Sequence, residues 1–290
     1  MMEALDGRCV QRRAAAVRAE VYCGGARGWT RGCRRGTRRA GRGVAWRGVA
    51  WRATCALDSH ERSGADGGRA DMIDIERIAQ ETDRVPLALH ACCGPCSLEP
   101  VASLRDEGFE PVILWDNPNI QPVAEHDLRL ATLLTWADIA GIAVVRCERG
   151  AGSGVNSALT PAEGRERWER VVAPHGFDRV PRCRACYTIR LDAACRVARE
   201  MGFSHVSTTL AVSPYQLFED CTEILERLAA ANGLTPVVRD WRPLYPKATT
   251  ESRELGMYRQ NYCGCRFSAA EATIERHERR DERKAARRAR

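Results

Sequence analysis

The chain has 290 residues, 44% of them apolar and 29% charged, which suits a soluble globular protein large enough for a sizeable core. It contains no run of about eighteen apolar residues, so the sequence excludes a membrane-spanning helix. Basic residues exceed acidic ones by 7, 43 of the 45 basic residues are arginine, and there are 14 cysteines. Averaged over the chain, that composition describes a thiol-rich, cationic nucleic-acid binder.

The average conceals a seam. Residues 1–71 hold 15 arginines, no lysine and 7 acids, a net of +8, so residues 72–290 carry −1. The same quarter holds 12 of the 24 glycines and a near-repeat, Gly43-Val44-Ala45-Trp46-Arg47 followed by Gly48-Val49-Ala50-Trp51-Arg52. Neither the helical nor the strand period persists there, so it reads as a disordered Arg/Gly-rich extension. It lacks the continuous apolar core of a secretory signal and the Ser-rich, amphipathic pattern of a transit peptide. An Arg/Gly-rich RNA-binding arm is one reading. The reading taken is translated upstream sequence, with the working chain starting at Met72 and Cys9, Cys23, Cys33 and Cys55 outside the functional count.

Beyond Met72 the pattern becomes regular. Residues 85–91 predict a strand that breaks at Cys92-Cys93-Gly94-Pro95-Cys96, with Ser97 placed to cap the following helix. Residues 109–115 predict a second strand, ending in the turn-rich Asp116-Asn117-Pro118-Asn119. A helix over 123–140 and a strand over 142–145 come next, then a loop to 160 and a short helix over 161–172. A helix begun near Arg184 runs to Met201, and 203–208 is a strand. Ser213-Pro214 opens a helix running to about Ala231; 236–238 is a fifth strand and 250–258 a helix. This alternation predicts an α/β fold, a Rossmann-like parallel sheet with helices on both faces, over a domain of residues 72–274. Ligands in such sheets bind beyond the carboxyl ends of the strands, where Cys92, Cys93 and Cys96 fall. Residues 275–290, with 8 basic and 4 acidic side chains, read as a solvated charged tail; contact with RNA phosphates is the alternative.

Seven of the ten cysteines after Met72 stand in three clusters, Cys92-Cys93-x-x-Cys96, Cys183-x-x-Cys186 and Cys263-x-Cys265. Cys147, Cys195 and Cys221 stand alone and read as small buried hydrophobes. Thiols two or three positions apart, beside Gly and Pro turns, let several sulfurs converge on a metal. Without a secretion signal the expected compartment is the reducing cytoplasm, where metal ligation outranks disulfides. A structural zinc takes four ligands, as does an iron–sulfur cluster. Seven thiols therefore suit two neighbouring metal centres, or one cluster plus catalytic thiols.

The clusters sit in longer motifs: His90-Ala91-Cys92-Cys93-Gly94-Pro95-Cys96-Ser97, Asn117-Pro118-Asn119-Ile120, Arg182-Cys183-Arg184-Ala185-Cys186-Tyr187 with Arg190-Leu191, Ser207-Thr208-Thr209-Leu210, Ser213-Pro214-Tyr215, and Tyr258-Arg259-Gln260-Asn261-Tyr262-Cys263-Gly264-Cys265. In order and spacing, over about residues 86–268, the chain resembles the epoxyqueuosine reductases of the cobalamin-independent type. Trp115-Asp116 and the Gly/Ser-rich 150–157 look idiosyncratic against that pattern, and residues 1–71 have no counterpart in it.

The resemblance implies reduction of the epoxide in epoxyqueuosine, at the wobble position of a tRNA anticodon, to the alkene of queuosine. It further implies a fold related to the nucleotide alpha-hydrolases, a [4Fe-4S] cluster supplying electrons, and an adjacent mononuclear iron acting on the epoxide oxygen as a Lewis acid. On this reading Cys93, Cys96, Cys183 and Cys186 are expected on the cluster, and Cys92, Cys263 and Cys265 on the iron, with Asp240 completing the iron's shell. Tyr187, Tyr258 and His90 are the candidate proton donors, and a ferredoxin or flavodoxin is the expected electron donor. Arg182, Arg184, Arg190, Arg259, Arg266 and the tail are expected to form a local basic patch for tRNA. Tyr215, Tyr258 or Trp241 would offer the splayed base a stacking surface. Two other functions stay open at this point. One is a tRNA-thiolating iron–sulfur enzyme of the nucleotide-hydrolase fold, which needs an ATP-phosphate loop where the Cys92–Cys96 turn stands. The other is a zinc-stabilised RNA-binding module.

Overall fold

A computed structural model describes residues 73–147 and 159–288; the expectations for residues 1–71 and 150–157 lie outside the described residues. α1 (Ile75–Thr82) starts at Asp74, whose carboxylate accepts from Arg77 N at 3.0 Å. The strands among the described residues are β1 (Val85–His90), β2 (Phe109–Trp115), β3 (Val144–Arg146), β4 (His205–Thr208) and β5 (Thr235–Pro236). They form one parallel sheet in the order β3-β2-β1-β4-β5, which is the expected α/β class.

Alternation along the strands builds two cores. Leu87, Leu89, Ile113 and Trp115 face α2 (Leu98–Asp106) and α3 (Val123–Ala140), meeting Val101, Leu104, Leu130 and Leu133. Ala88, Val112, Leu114 and Val206 point to the other face, against Leu191 and Ala194 of α5 (Arg179–Glu200) and Ile224 and Leu228 of α6 (Phe218–Ala231). Each fully buried aliphatic side chain contributes about 1.5–3 kcal/mol. α4 (Pro161–Val171) opens with the capping box of Thr160 and Glu163. α7 (Tyr245–Glu254) and α8 (Arg266–Arg288) complete the order, and no helix of the described residues is long and apolar enough to cross a membrane.

Several boundaries differ from the sequence reading, each for a local reason. β3 and β4 begin later than expected because the residue after each left-handed glycine still bonds to the preceding helix. Ile142 N donates to Ala137 O and Phe203 N to Ala198 O, both at 2.9 Å, after Gly141 (φ +63°) and Gly202 (φ +84°). Ser97 does not cap α2; its hydroxyl donates to the Cys93 carbonyl at 2.9 Å. Ser213 does not open α6 either. It closes a short 3-10 turn over Thr209–Val212, and α6 starts at Phe218 because the Tyr187 hydroxyl accepts from Leu217 N at 3.1 Å. α5 begins at Arg179 and α7 at Tyr245, both ahead of expectation.

The chain runs β1, β2, β3 toward one edge and returns to place β4 beside β1. Strand order therefore reverses between β1 and β4, and the crevice outside their carboxyl ends is where such sheets bind ligands. His90 Nδ1 and Thr208 Oγ1 join those two strand ends at 2.9 Å.

Candidate metal centre

The first cysteine cluster enters this crevice directly. The Ala91 carbonyl accepts from Asn117 Nδ2 at 2.8 Å and Cys92 N donates to Thr209 Oγ1 at 3.3 Å, so the turn is tied on both sides. The sulfurs of Cys92, Cys93 and Cys96 all lie within 4.8 Å of one another, the first two 3.9 Å apart. Thiolates on one tetrahedral metal, with bonds of about 2.3 Å, stand about 3.8 Å apart, so this spacing suits a single ion. S–H groups from Cys93 and Cys96 hold the Cys92 thiol well below its ordinary range, against burial, and the charge of Arg190 adds to them. The same contacts push Cys93 up to about 12 and Cys96 up as well. One negative charge is thus shared by three sulfurs, and Gln260 Nε2 donates to Cys93 Sγ at 2.9 Å.

The other four clustered thiols form a second, wider group. Cys183 and Cys186 lie one turn apart on α5, and Arg190 follows on the same face. Cys186 packs with Cys265, Trp168 and Ile189 in one apolar cluster, and Trp168 Nε1 points at its sulfur across 3.4 Å. Electrostatic coupling links Cys186 to Cys183, Cys263 and Cys265, and Cys265 to Cys183 and Cys263. Burial pushes the thiols of Cys183 and Cys186 up, and that of Cys263 to about 12. Among the described residues only Cys92, Cys93 and Cys96 meet the 4.8 Å spacing as a group of three, so the quartet is more open. The geometry thus sets Cys92, Cys93 and Cys96 apart as a tight trio.

Two arginines that sequence reasoning missed or misassigned organise the site. Arg129, 1% exposed, pairs with Glu125 at 2.7 Å and donates to the carbonyls of Cys263 at 2.9 Å and Tyr262 at 3.3 Å. A lone arginine on the inward side of α3 was its only signal. Arg190, expected on RNA phosphate, is also 1% exposed. It donates to Asn117 Oδ1 at 2.5 Å, its Nε has no hydrogen-bond partner, and its charge acts on Cys186, Cys92 and Cys263. It is the cation between the two thiol groups.

The Cys263-Gly264-Cys265 turn depends on its glycine. Gly264 has φ +142°, and a Cβ there would stand 2.9 Å from Asn119 Nδ2 and 3.0 Å from Ile120 Cγ1. Asn119 is itself buried with both amide atoms unpartnered, so it has little room to yield. Gly264→Ala is expected to displace both sulfurs, cost about 2–3 kcal/mol of stability and lower iron content; chemical unfolding and iron analysis of the variant would show it.

The remaining predicted residues fall in different places. Tyr187 is buried beside the quartet; its hydroxyl donates to Gln216 Oε1 at 2.8 Å, and burial holds its proton far above the usual range. Gln216, in turn, reaches Cys263 Sγ at 3.6 Å. Tyr258 donates to Glu125 Oε2 at 2.7 Å, and this bond raises it to about 12. Asp240 is exposed and not part of either thiol group; Arg242 binds its carboxylate through Nε and Nη2, each at 2.8 Å. His90 is fully buried and kept neutral, first by desolvation and then by Arg190, with its pKa lowered to about 3.

The body arginines of the expected basic patch all make internal contacts. Arg182 pairs with Glu271 at 2.8 Å, Arg184 with Asp220 and Glu223, and Arg266 with Glu169, while Arg259 bonds to Thr249 and Ser252. Trp241 is 2% exposed and belongs to the core, which removes it as a stacking surface. Tyr215 is 63% exposed and stands edge-on to Tyr245 at 6.2 Å. The Tyr245 hydroxyl is raised by burial and then by the neighbouring Cys96.

Comparison with known proteins identifies the family. The sequence profile described as "Epoxyqueuosine reductase QueH" matches residues 87–271. The epoxyqueuosine reductase QueH of Dehalococcoides mccartyi is 29% identical over 185 residues, covering 64% of this chain and 93% of that protein. That of Thermotoga maritima is 29% identical over 187 residues, covering 63% and 90%. That of Acinetobacter baylyi is 28% identical over 188 residues, covering 63% and 79%. The profile spans every clustered cysteine and the whole parallel sheet except the first two residues of β1; the chain belongs to the epoxyqueuosine reductase QueH family of oxidoreductases.

Proposed function

We propose that this protein reduces the epoxide of epoxyqueuosine in the tRNA wobble position to give queuosine. We assign a [4Fe-4S] cluster to Cys183, Cys186, Cys263 and Cys265, and a second iron to Cys92, Cys93 and Cys96. The observation that carries the reading is the pair of buried and half-buried thiol groups around Arg190 at the switch point of the sheet. The donor set fits: sulfur ligands suit iron–sulfur centres, and a buried guanidinium whose charge acts first on Cys186, Cys92 and Cys263, and then on Asp116, offsets the negative charge of thiolates.

When bound, the cluster supplies electrons one at a time and the iron's open position polarises the epoxide oxygen. The balance is two electrons and two protons; both C–O bonds break, the oxygen leaves as water and a C=C bond forms. Tyr187 keeps its proton beside Cys263 and is bonded to Gln216, so we assign proton delivery to this pair. Tyr258 and Asp240, by contrast, are committed to Glu125 and Arg242. Tyr215 and Tyr245 form an aromatic rim near Cys96 on which a splayed base can stack. A one-electron carrier of the ferredoxin or flavodoxin type suits the cluster.

The thiolating alternative is disfavoured by the first turn. A phosphate loop is rich in glycine with amides aimed at the ligand, whereas here Pro95 lacks an amide, Cys92 N is bonded to Thr209, and three cysteine sulfurs converge. Anaerobically prepared protein is expected to be brown and to hold about five irons per chain. With a chemical reductant it should convert tRNA-bound epoxyqueuosine to a nucleoside lighter by one oxygen, read by mass spectrometry. A colourless, zinc-loaded protein or an unchanged nucleoside mass rejects the proposal.

A further inference from the structure

α8 continues well past residue 271, where the match to the family ends. All of residues 273–288 are exposed, so packing does not account for their sequence. Their charges are nevertheless sorted, apart from Arg288 in the last turn, which falls beside Asp281. At about 100° per residue, Arg276, Arg280, Arg283 and Arg287 fall within roughly 60° of arc. Glu275, Glu278, Asp281 and Glu282 occupy the opposite side. Arg279 and Lys284, which flank the arginine stripe, are used in pairs with Glu275 at 2.7 Å and Asp281 at 3.1 Å. Arg276 reaches Thr273 Oγ1 at 2.8 Å, while no hydrogen bond or ion pair joins Arg280, Arg283 or Arg287 to any described residue.

This stripe stands on an otherwise acidic domain, since residues 72–274 carry a net −5 and residues 275–290 a net +4. Arg182, Arg184, Arg266 and Arg259, the body arginines the sequence marked for RNA, make internal bonds to Glu271, Asp220, Glu223, Glu169 and Thr249. Arg280 to Arg287 span about 10 Å along the helix, the scale of neighbouring phosphates on one strand. We propose that the Arg276–Arg280–Arg283–Arg287 stripe of α8 docks the tRNA phosphate backbone outside the reacting base, the acidic stripe keeping the helix turned one way. The proposal rests on the tRNA reading above.

Unmodified tRNA is the probe, titrated by fluorescence anisotropy against the full chain over a series of salt concentrations. The triple variant Arg280→Gln, Arg283→Gln, Arg287→Gln is expected to weaken binding about 10-fold at low salt. It should also flatten the log–log salt slope by about 2–3. The opposite-face variant Glu275→Gln, Glu278→Gln, Glu282→Gln is expected to bind as well as wild type or better. Circular dichroism checks that α8 stays helical in both. An unchanged affinity and slope in a helical arginine variant overturns the proposal. So does a variant that keeps tRNA affinity but loses the rate of reduction by an acidic donor protein, which would assign the stripe to that donor. Because the probe carries no epoxide, stripe-dependent binding without reductase activity would reject the reaction and leave the docking surface standing.

Discussion

Replacing Cys186 with serine is expected to bleach the protein and remove about four irons per chain, while replacing Cys92 is expected to leave the colour and remove about one. The difference follows from the two sulfur spacings. Cys92 belongs to a trio close enough to share one ion and one negative charge. Cys186 belongs to the open quartet, where Trp168 and Cys265 pack against it. Both substitutions are expected to lower reduction of tRNA-bound epoxyqueuosine by at least about a thousandfold, since each removes a part the chemistry needs. Iron and sulfide analysis with electron paramagnetic resonance of the reduced protein separates the two losses. Equal iron loss in both variants, or loss of the cluster signal from Cys92→Ser, would sink the division into three and four.

Arg190→Met is expected to have opposite effects on the loaded and unloaded protein. In the loaded protein the guanidinium faces thiolates of both groups, so its removal leaves buried negative charge without a counter-ion. Iron is then expected to be lost to a chelator about ten times faster, with Arg190→Lys recovering much of the difference. In the iron-free protein most of these thiols stay protonated, because burial and mutual contact raise them. There the Cys92 thiolate and Asp116 remain to offset only part of the cation's desolvation, so the Met variant should unfold no more easily than wild type. Iron release kinetics and thermal unfolding of the iron-free chain give the two readings. A Met variant that holds iron as tightly as wild type would show that Arg190 serves Asn117 alone.

Much of this arrangement is legible in the chain itself. Alternation of buried residues along β1 and β2 follows from the period of a strand covered on both faces, and a turn of Gly and Pro directly after β1 marks the thiols of the crevice. The helix starts assigned to Ser97 and Ser213 were less legible, because a serine hydroxyl serves a neighbouring carbonyl or amide as readily as a helix end. Arginine roles were the least legible. Arg182 meets Glu271 across 89 positions and Arg266 meets Glu169 across 97, and nothing local separates a paired arginine from a free one.

By itself, then, the sequence determined the α/β class, the seven clustered thiols and the family to which they belong, since periodicity and motif spacing are local properties of a chain. Only the tertiary structure decided that the Cys92, Cys93 and Cys96 sulfurs stand together, that Arg190 is buried beside them, and that Arg280, Arg283 and Arg287 of α8 stay exposed. The reason is the return of the chain to β4 beside β1, which brings the turn after β1 to the thiols of α5 and the Cys263–Cys265 turn. Convergence of that kind depends on strand order and helix packing, and spacing along the chain does not encode it.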